Sequence, residues 1–184
     1  MNESQGDVET VDITGDAQYI LAIDNLWTAL IYSSNNSTYE LFQNITLSSD
    51  TSLRSHGGAI TDDHEWVVAS IDNQIKVFTF NSSINEFTLN HTVGPLTGMI
   101  THISLTNDHL FMAVTTESDY VYVFKYDGSE FSQSQKIKSE SLNGERAFLS
   151  DDHEYLLTCH DADFASTKYA FVVNYQYNTT SGNF

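Results

Sequence analysis

The chain has 184 residues, of which 25 are acidic and 7 basic, and its formal net charge is −18. This charge argues against nucleic acid and anionic membrane surfaces as partners, because both require a basic patch. The length suits one sizeable core, and no apolar run approaches the roughly 20 residues of a membrane span.

The termini and the cysteine content say little about the cellular compartment. Residues 1–7 are polar and acidic, unlike a signal peptide, so the chain is expected to be either cytosolic or a mature or partial sequence. Cys159 is the only cysteine, which excludes an intrachain disulfide. We expect it to be a small buried core residue.

A short phrase recurs four times. It consists of a hydroxyl residue, an Asp two places later, an aromatic three places after that, and an apolar run; the copies span 14–22, 61–69, 106–114 and 150–158. Asp16, Asp63, Asp108 and Asp152 are therefore separated by 47, 45 and 44 residues. A period of about 40–50 residues predicts a repeat architecture, and all-β content at that period indicates propeller blades.

Each copy of the phrase predicts a tight turn that leads into a buried strand. Asp and Asn favour turns because their side chains bond the nearby backbone, and a short apolar run without alternation is typical of a strand buried on both faces. We expect the four aromatics to be buried equivalents in successive blades: Tyr19, Trp66, Phe111 and Tyr155.

The whole chain, 1–184, is predicted to be a single all-β domain of four blades, at approximately 8–55, 56–98, 99–145 and 146–184. Each blade is expected to hold four antiparallel strands, a to d from the axis outward. In blade one these are 8–13, 19–23, 28–33 and 39–46; in blade two, 58–61, 65–71, 74–80 and 86–93. In blade three they are 99–105, 110–115, 120–126 and 130–136. Blade four has only 146–149, 154–159 and 168–177, with an insertion around 161–166 in its b–c loop.

The last blade is predicted to be incomplete, because the sequence reaches Phe184 where its strand d should begin. Its strand c, near 169–177, would be an open edge, and such edges invite pairing with another chain. We therefore expect protein partners and self-assembly through blade four, as an open head-to-tail fibre or a larger composite propeller. The alternative is that further residues of a longer chain complete the blade.

The repeats resemble WD-like propeller repeats of the YVTN, lactonase-like kind. Residues 61–69 and 106–114 match that pattern best, and 75–78 match the strand that follows it. The resemblance covers nearly the whole chain and implies the propeller fold. It is almost silent about function.

Two sets of residues could bind metal. His64, His109 and His153 share one repeat position, but positions on successive blades lie too far apart for one zinc, whose ligands stand at about 2.0–2.1 Å; we expect solvated turn residues. Acids recur in the b–c loops, where a carboxylate ring could hold calcium. Ordinary turn chemistry is the favoured alternative for these acids: Asp24, Asp72, Asp119, Asp161 and Asp163.

No motif for catalysis stands out, since nucleophile elbows, phosphate-binding glycine loops and paired zinc ligands are absent from the sequence. We therefore expect no cofactor, no catalytic residue and no enzymatic activity. A propeller hydrolase or lactonase is a more distant alternative that rests on analogy of fold.

Glycosylation acceptors are the strongest functional signal. Asn-x-Ser/Thr occurs seven times, against about three expected by chance. Besides Asn2, the acceptors fall in predicted c–d turns or outermost strands, where a glycan fits: Asn35, Asn36, Asn44, Asn81, Asn90 and Asn178. The alternative is that Asn and Ser occur there because they form good turns. The sequence thus favours a non-catalytic, N-glycosylated, extracellular or cell-surface propeller module with a structural role. The alternative is a cytoplasmic propeller scaffold for protein–protein interaction.

Overall fold

A computed structural model describes residues 6–50, 52–118, 120–138, 143–164 and 167–184. These residues form fifteen β-strands, and no helix occurs among them. The strands are β1 (Val8–Ile13), β2 (Tyr19–Asp24), β3 (Thr28–Asn35), β4 (Thr38–Thr46), β5 (Gly58–Ile60), β6 (Trp66–Ile71), β7 (Gln74–Asn81), β8 (Glu86–Val93), β9 (Ile100–Leu105), β10 (Phe111–Thr116), β11 (Tyr120–Tyr126), β12 (Phe131–Lys138), β13 (Asn143–Leu149), β14 (Tyr155–Phe164) and β15 (Thr167–Gln176).

The strands pair into four antiparallel sheets, which are the four blades. Their orders are β1-β2-β3-β4, β5-β6-β7-β8, β9-β10-β11-β12 and β13-β14-β15. The prediction of a propeller-type array whose last blade lacks a strand is thereby confirmed. The chain divides into two compact units, Met1–Gly94 with blades one and two, and Pro95–Phe184 with blades three and four.

The predicted insertion in blade four is wrong. Asp161 to Phe164 continue β14, where they pair with Ala170 to Thr167 of β15. The physical reason lies in the residues themselves, because Asp, Ala, Asp and Phe alternate polar with apolar, as a strand does.

The repeated phrase builds the same turn in each blade. Thr106 Oγ1 donates to Asp108 Oδ1 at 2.7 Å and accepts the backbone N–H of Phe111 at 3.1 Å. Asp108 Oδ1 also accepts the N–H of Leu110 at 3.0 Å. The hydroxyl and the Asp therefore satisfy backbone groups where the chain enters strand b, which buried polar groups require. Thr14, Thr61 and Ser150 repeat these bonds.

Within each unit, opposite faces of two blades pack together. We call the side of a blade that carries the opening aromatic of its strand b the aromatic face, and the other side the aliphatic face. In the first unit, Leu21 and Ile23 on the aromatic face of blade one pack in one cluster with Val67 and Ala69 on the aliphatic face of blade two. The second unit repeats the rule.

In that second unit, Phe111 and Ala113 on the aromatic face of blade three pack with Ala147 and Leu156 on the aliphatic face of blade four. The strand register fixes these assignments, because residues two apart in a strand share a face and directly paired residues do too. Aromatic face against aliphatic face is thus the packing rule in both units.

The opening aromatics are equivalent in position but not in burial. Each begins its strand b and donates its N–H to the hydroxyl of the turn. Trp66 and Phe111 are buried, Tyr19 is half-buried, and Tyr155 is 37% exposed. The predicted burial of Tyr155 is therefore wrong. It lies on the aromatic face of blade four, a face that the described residues leave largely open.

Candidate protein-interaction site

The outer edge of β15 is the open edge of blade four. In the other three blades strand c pairs with a fourth strand, whereas the described sheet of blade four ends at β15. The N–H of Tyr177 donates to Glu154 O at 2.8 Å. Because hydrogen-bonded residues alternate along an antiparallel strand, the amides of Val173 and Tyr175 also point towards β14. Those of Val172, Asn174 and Gln176 point outwards.

A glutamine side chain fixes the point at which strand d of blade four would begin, through two hydrogen bonds that we call the glutamine clamp. In the first unit, the Gln43 side chain donates to Phe87 O at 3.0 Å and accepts Phe87 N–H at 2.8 Å. In the second unit, Gln135 makes the same two bonds to Phe184, each at 2.8 Å. Phe87 opens the outermost strand of blade two, so Phe184 occupies the equivalent point in blade four.

The hairpin that leads to Phe184 also matches its counterparts. The Phe184 ring lies 5.2 Å from that of Tyr177, as the Phe87 ring lies 5.3 Å from that of Phe80. Asn178 and Asn183 form a bridge just inside this pair. The c–d turn of blade four is therefore formed, and a partner strand for β15 would run on from this point.

All six predicted glycosylation acceptors in the described residues have exposed side chains. Two share one geometry: Asn81 Oδ1 accepts the N–H of Ser83 at 3.0 Å, and Asn178 Oδ1 accepts that of Thr180 at 2.9 Å. A glycan attaches to the amide nitrogen, so this turn can persist in the modified chain. Asn2 lies outside the described residues.

Asp127 occupies the equivalent c–d turn of blade three. Hydrogen bonds lower its pKa to about 2, the largest contribution coming from the N–H of Glu130 and further ones from the side chain and N–H of Ser129. The Asp127 carboxylate is thus kept ionised by hydrogen bonds from the turn. The side-chain oxygens of the asparagines in blades two and four accept hydrogen bonds from equivalent backbone N–H groups. The turn geometry is common to both residue types.

The repeated histidines link neighbouring blades within a unit. His64 Nε2 lies 3.1 Å from Asp16 Oδ2, and His153 Nε2 lies 2.8 Å from Asp108 Oδ2. His109 occupies the same turn position with φ 62°. The predicted turn position is confirmed for His64 and His153, but their side chains are half-buried at the blade contact and not fully solvated.

The acids predicted as a weak metal site occupy different local positions in the described residues. Asp24 is buried and its Oδ1 accepts the N–H groups of Leu26 and Thr28, so it caps the b–c turn. Asp72, with φ 54°, is a turn residue. Asp161 and Asp163 lie in β14, and Asp119 lies outside the described residues. No cluster of three potential metal ligands occurs in the described part of the chain.

Three further features belong to the second unit. His102, on β9, is 7% exposed, and burial followed by the charge of Arg146 lowers its pKa to about 4. Cys159 is half-buried rather than buried, because it lies on the open aromatic face of blade four. A shallow depression of about 760 Å³ lies between the two turns of blade three, lined by Asp108 and Lys125 among others.

Comparison with known proteins yields a fold and no family. No family model matches, and no curated protein does. A chain in a crystal structure of a mitotic checkpoint complex superposes with a TM-score of 0.70 at 12% identity, over 96% of this chain and 51% of that one. The present chain thus spans about half of that protein, and the likeness confirms the propeller-type fold suggested by the WD-like repeats. Among the described residues, no helix is long and apolar enough to cross a membrane.

Sequence reasoning missed the glutamine clamp and the contacts of the histidine row. A signal for the clamp exists, since Gln43 and Gln135 each lie in strand d of their blade and precede an aromatic that opens the next strand d. Two examples of so common a residue do not stand out without the structure. The histidine row is visible in the sequence, but its contacts depend on which turn faces which.

Proposed function

We propose that this chain is a non-catalytic, N-glycosylated extracellular propeller module that assembles with other protein chains through the open edge of blade four. The proposal rests on the edge of β15, where three backbone amides point outwards. These amides lie beside a c–d turn that is already formed. Unpaired backbone groups favour the addition of a strand. Val172 and Tyr175 give the strand the β-branched and aromatic character that suits pairing.

The glycan part of the proposal rests on exposure and on the repeated turn. All six acceptors are exposed, and in Asn81 and Asn178 the sequon adopts the same hydrogen-bonded turn. An extracellular setting follows from glycosylation. The high negative charge is compatible with it, because like-charged surfaces stay soluble.

An intracellular propeller scaffold is the second candidate. It is favoured by the fold likeness to a chain from a mitotic checkpoint complex, a multi-protein assembly. At 12% identity this likeness supports the architecture but does not identify a partner. The two candidates differ in one measurable property, the carbohydrate on the native protein.

Glycopeptide mass spectrometry on native material tests that difference. We expect sugar on Asn81 and Asn178, with Asn35 or Asn36 and Asn90 as further sites. Asn44 pairs with Leu30, which places it on the aliphatic face of blade one. The variant Asp127→Asn provides a matched control, because it creates Asn-Gly-Ser in the equivalent turn of blade three. In a secreting eukaryotic host it should gain a glycan. Bare asparagines throughout the native protein would overturn the extracellular proposal and favour the scaffold.

The edge is tested by proline at an outward amide. Asn174→Pro removes one N–H from the open edge and leaves the ladder to β14 intact, as proline on an edge strand permits. Asn174→Ala is the control. We expect the proline variant alone to lose association measured by sedimentation velocity. Equal association of both variants would argue against strand addition at β15.

A further inference from the structure

Two apolar sheet faces are exposed, and they are of opposite kinds. The aliphatic face of blade one carries Val11 at 62%, Ile13 at 50% and Leu41 at 52% exposure. The register places them together, because Val11 pairs with Ala22, Ile13 with Ile20 and Leu41 with Tyr32. Exposed apolar patches of this kind mark interaction surfaces.

The aromatic face of blade four is the second exposed face. It carries Phe148 at 45%, Leu157 at 41% and Val172 at 69% exposure, together with Tyr155. Phe148 pairs with Leu157, and Val172 pairs with Cys159 two residues further along β14, so these side chains share one face. Arg146 is the one charged side chain described on it.

We propose that a second copy of this chain covers these faces, the aliphatic face of blade one in one copy docking on the aromatic face of blade four in the other. The inference shares the assembly role of the proposed function but places the contact on the sheet faces and not on the edge of β15. In both units an aromatic face packs on an aliphatic face. One exposed face is aliphatic and the other is aromatic, so together they supply both sides of such a contact. The aliphatic face of one copy can therefore pack on the aromatic face of the other.

Charge and blade number favour a second copy as the occupant. On a chain with 25 carboxylates, the described side chains of the two faces are apolar or uncharged apart from Arg146 and Asp24. The Asp24 carboxyl, at the border of the blade-one face, is turned into its own loop. Two copies hold twice the four sheets of one chain. That is within the range of about four to eight blades in known propellers. The solved chain with the same fold is about twice as long as this one.

The contact is heterologous, and this gives it a distinctive test. Val11→Asp places a carboxylate on the blade-one face, and Val172→Asp places one on the blade-four face. Ile84→Asp is the matched control, an aliphatic residue of 55% exposure in the c–d turn of blade two. Burying a carboxylate in an apolar contact is costly, so Val11→Asp should associate at least about 100-fold more weakly than the wild type. Val172→Asp should weaken association by at least about 10-fold, because Arg146 lies in the same row of its face.

Sedimentation equilibrium of the 184-residue chain and its variants reads out the result. We expect wild type and Ile84→Asp to associate equally and each face variant to associate more weakly. A 1:1 mixture of Val11→Asp and Val172→Asp should form a heterodimer, because one intact contact remains between them. That complementation also shows that both variants fold. Raising the ionic strength should strengthen association, since it screens repulsion between two chains of charge −18.

Other outcomes overturn the proposal. A wild-type chain that stays monomeric at all concentrations would rule out a second copy as the occupant. Face variants that self-associate as tightly as the wild type would mean a contact between two like faces, or association elsewhere. If Asn174→Pro abolishes association while both face variants retain it, the edge carries assembly and the faces do not. The reverse pattern supports the faces and refutes the edge.

Discussion

His102 should make the second unit sensitive to mild acid. The side chain is 7% exposed on β9, its ring lies 4.9 Å from that of Phe148, and its Nδ1 has no hydrogen-bond partner among the described residues. Burial, and next the charge of Arg146, lowers its pKa to about 4, although a hydrogen bond to the main chain of Ala147 acts in the opposite direction.

The sign of the effect follows from proton binding. The folded-state pKa lies below the unfolded value of 6.5, so between these values the unfolded chain binds a proton that the folded chain does not. Stability is therefore lost as the pH falls from about 6.5 towards 4. The full shift corresponds to about 3 kcal/mol, of which about 2 kcal/mol is lost by pH 5.

The assay compares urea unfolding at pH 7 and pH 5, followed by far-UV circular dichroism, for wild type, His102→Gln and His91→Gln. Carboxylate titration affects all three alike and cancels in the comparison. We expect wild type and His91→Gln to lose about 2 kcal/mol more than His102→Gln over this interval. Equal losses in all three proteins, or an imidazole that titrates near 6.5 by NMR, would refute the argument from burial.

Three further predictions concern the repeated elements. Thr106→Val should lower the free energy of unfolding in urea by about 1–3 kcal/mol, because it deletes two hydrogen bonds of a fully buried hydroxyl. Ser150→Ala, at the more exposed equivalent position, should lower it by about 1 kcal/mol or less. Equal losses in the two variants would contradict this. Gln135→Ala should speed hydrogen exchange in residues 177–184, and unchanged exchange would mean that the clamp does not hold Phe184. The Asp127 carboxyl should titrate near pH 2 by NMR, so its contribution to stability is lost as the pH falls from about 4 towards 2, and a midpoint near 4 would contradict the bonding of its turn.

Much of the fold could be predicted because the same local chemistry is repeated four times. A Thr hydroxyl and an Asp at fixed spacing satisfy the turn whatever surrounds them, so Thr61 to Trp66 and Thr106 to Phe111 could be aligned by sequence alone. The strand bounds followed within a few residues. The error at Asp161 to Phe164 arose where polar residues continue a strand, and composition cannot separate that case from a loop.

The candidate sites were less predictable, because they depend on contacts between blades. The open edge followed from counting strands, and the acceptor asparagines from a short motif. The partners of His64 and His153, the Gln135 clamp and the burial of His102 all require knowledge of which side chain faces which. Cys159 and Tyr155 were expected to be buried by analogy with equivalent positions. Both lie on the aromatic face of blade four, which the described residues leave largely open.

The exposure of Tyr155 supplies a last test of the docking proposal. Trp66 and Phe111, its equivalents, are buried, while Tyr155 is 37% exposed, so a docked sheet should protect it. Nitration of Tyr155 by tetranitromethane, read by mass spectrometry, should therefore be lower in the wild type than in Val11→Asp at the same concentration. Val11 belongs to the first unit and Tyr155 to the second, and Tyr126 in blade three is the internal control, since it lies on neither exposed face. Protection of Tyr155 but not Tyr126 would identify the aromatic face of blade four as the surface that a second copy covers, whereas equal nitration in both proteins would exclude it.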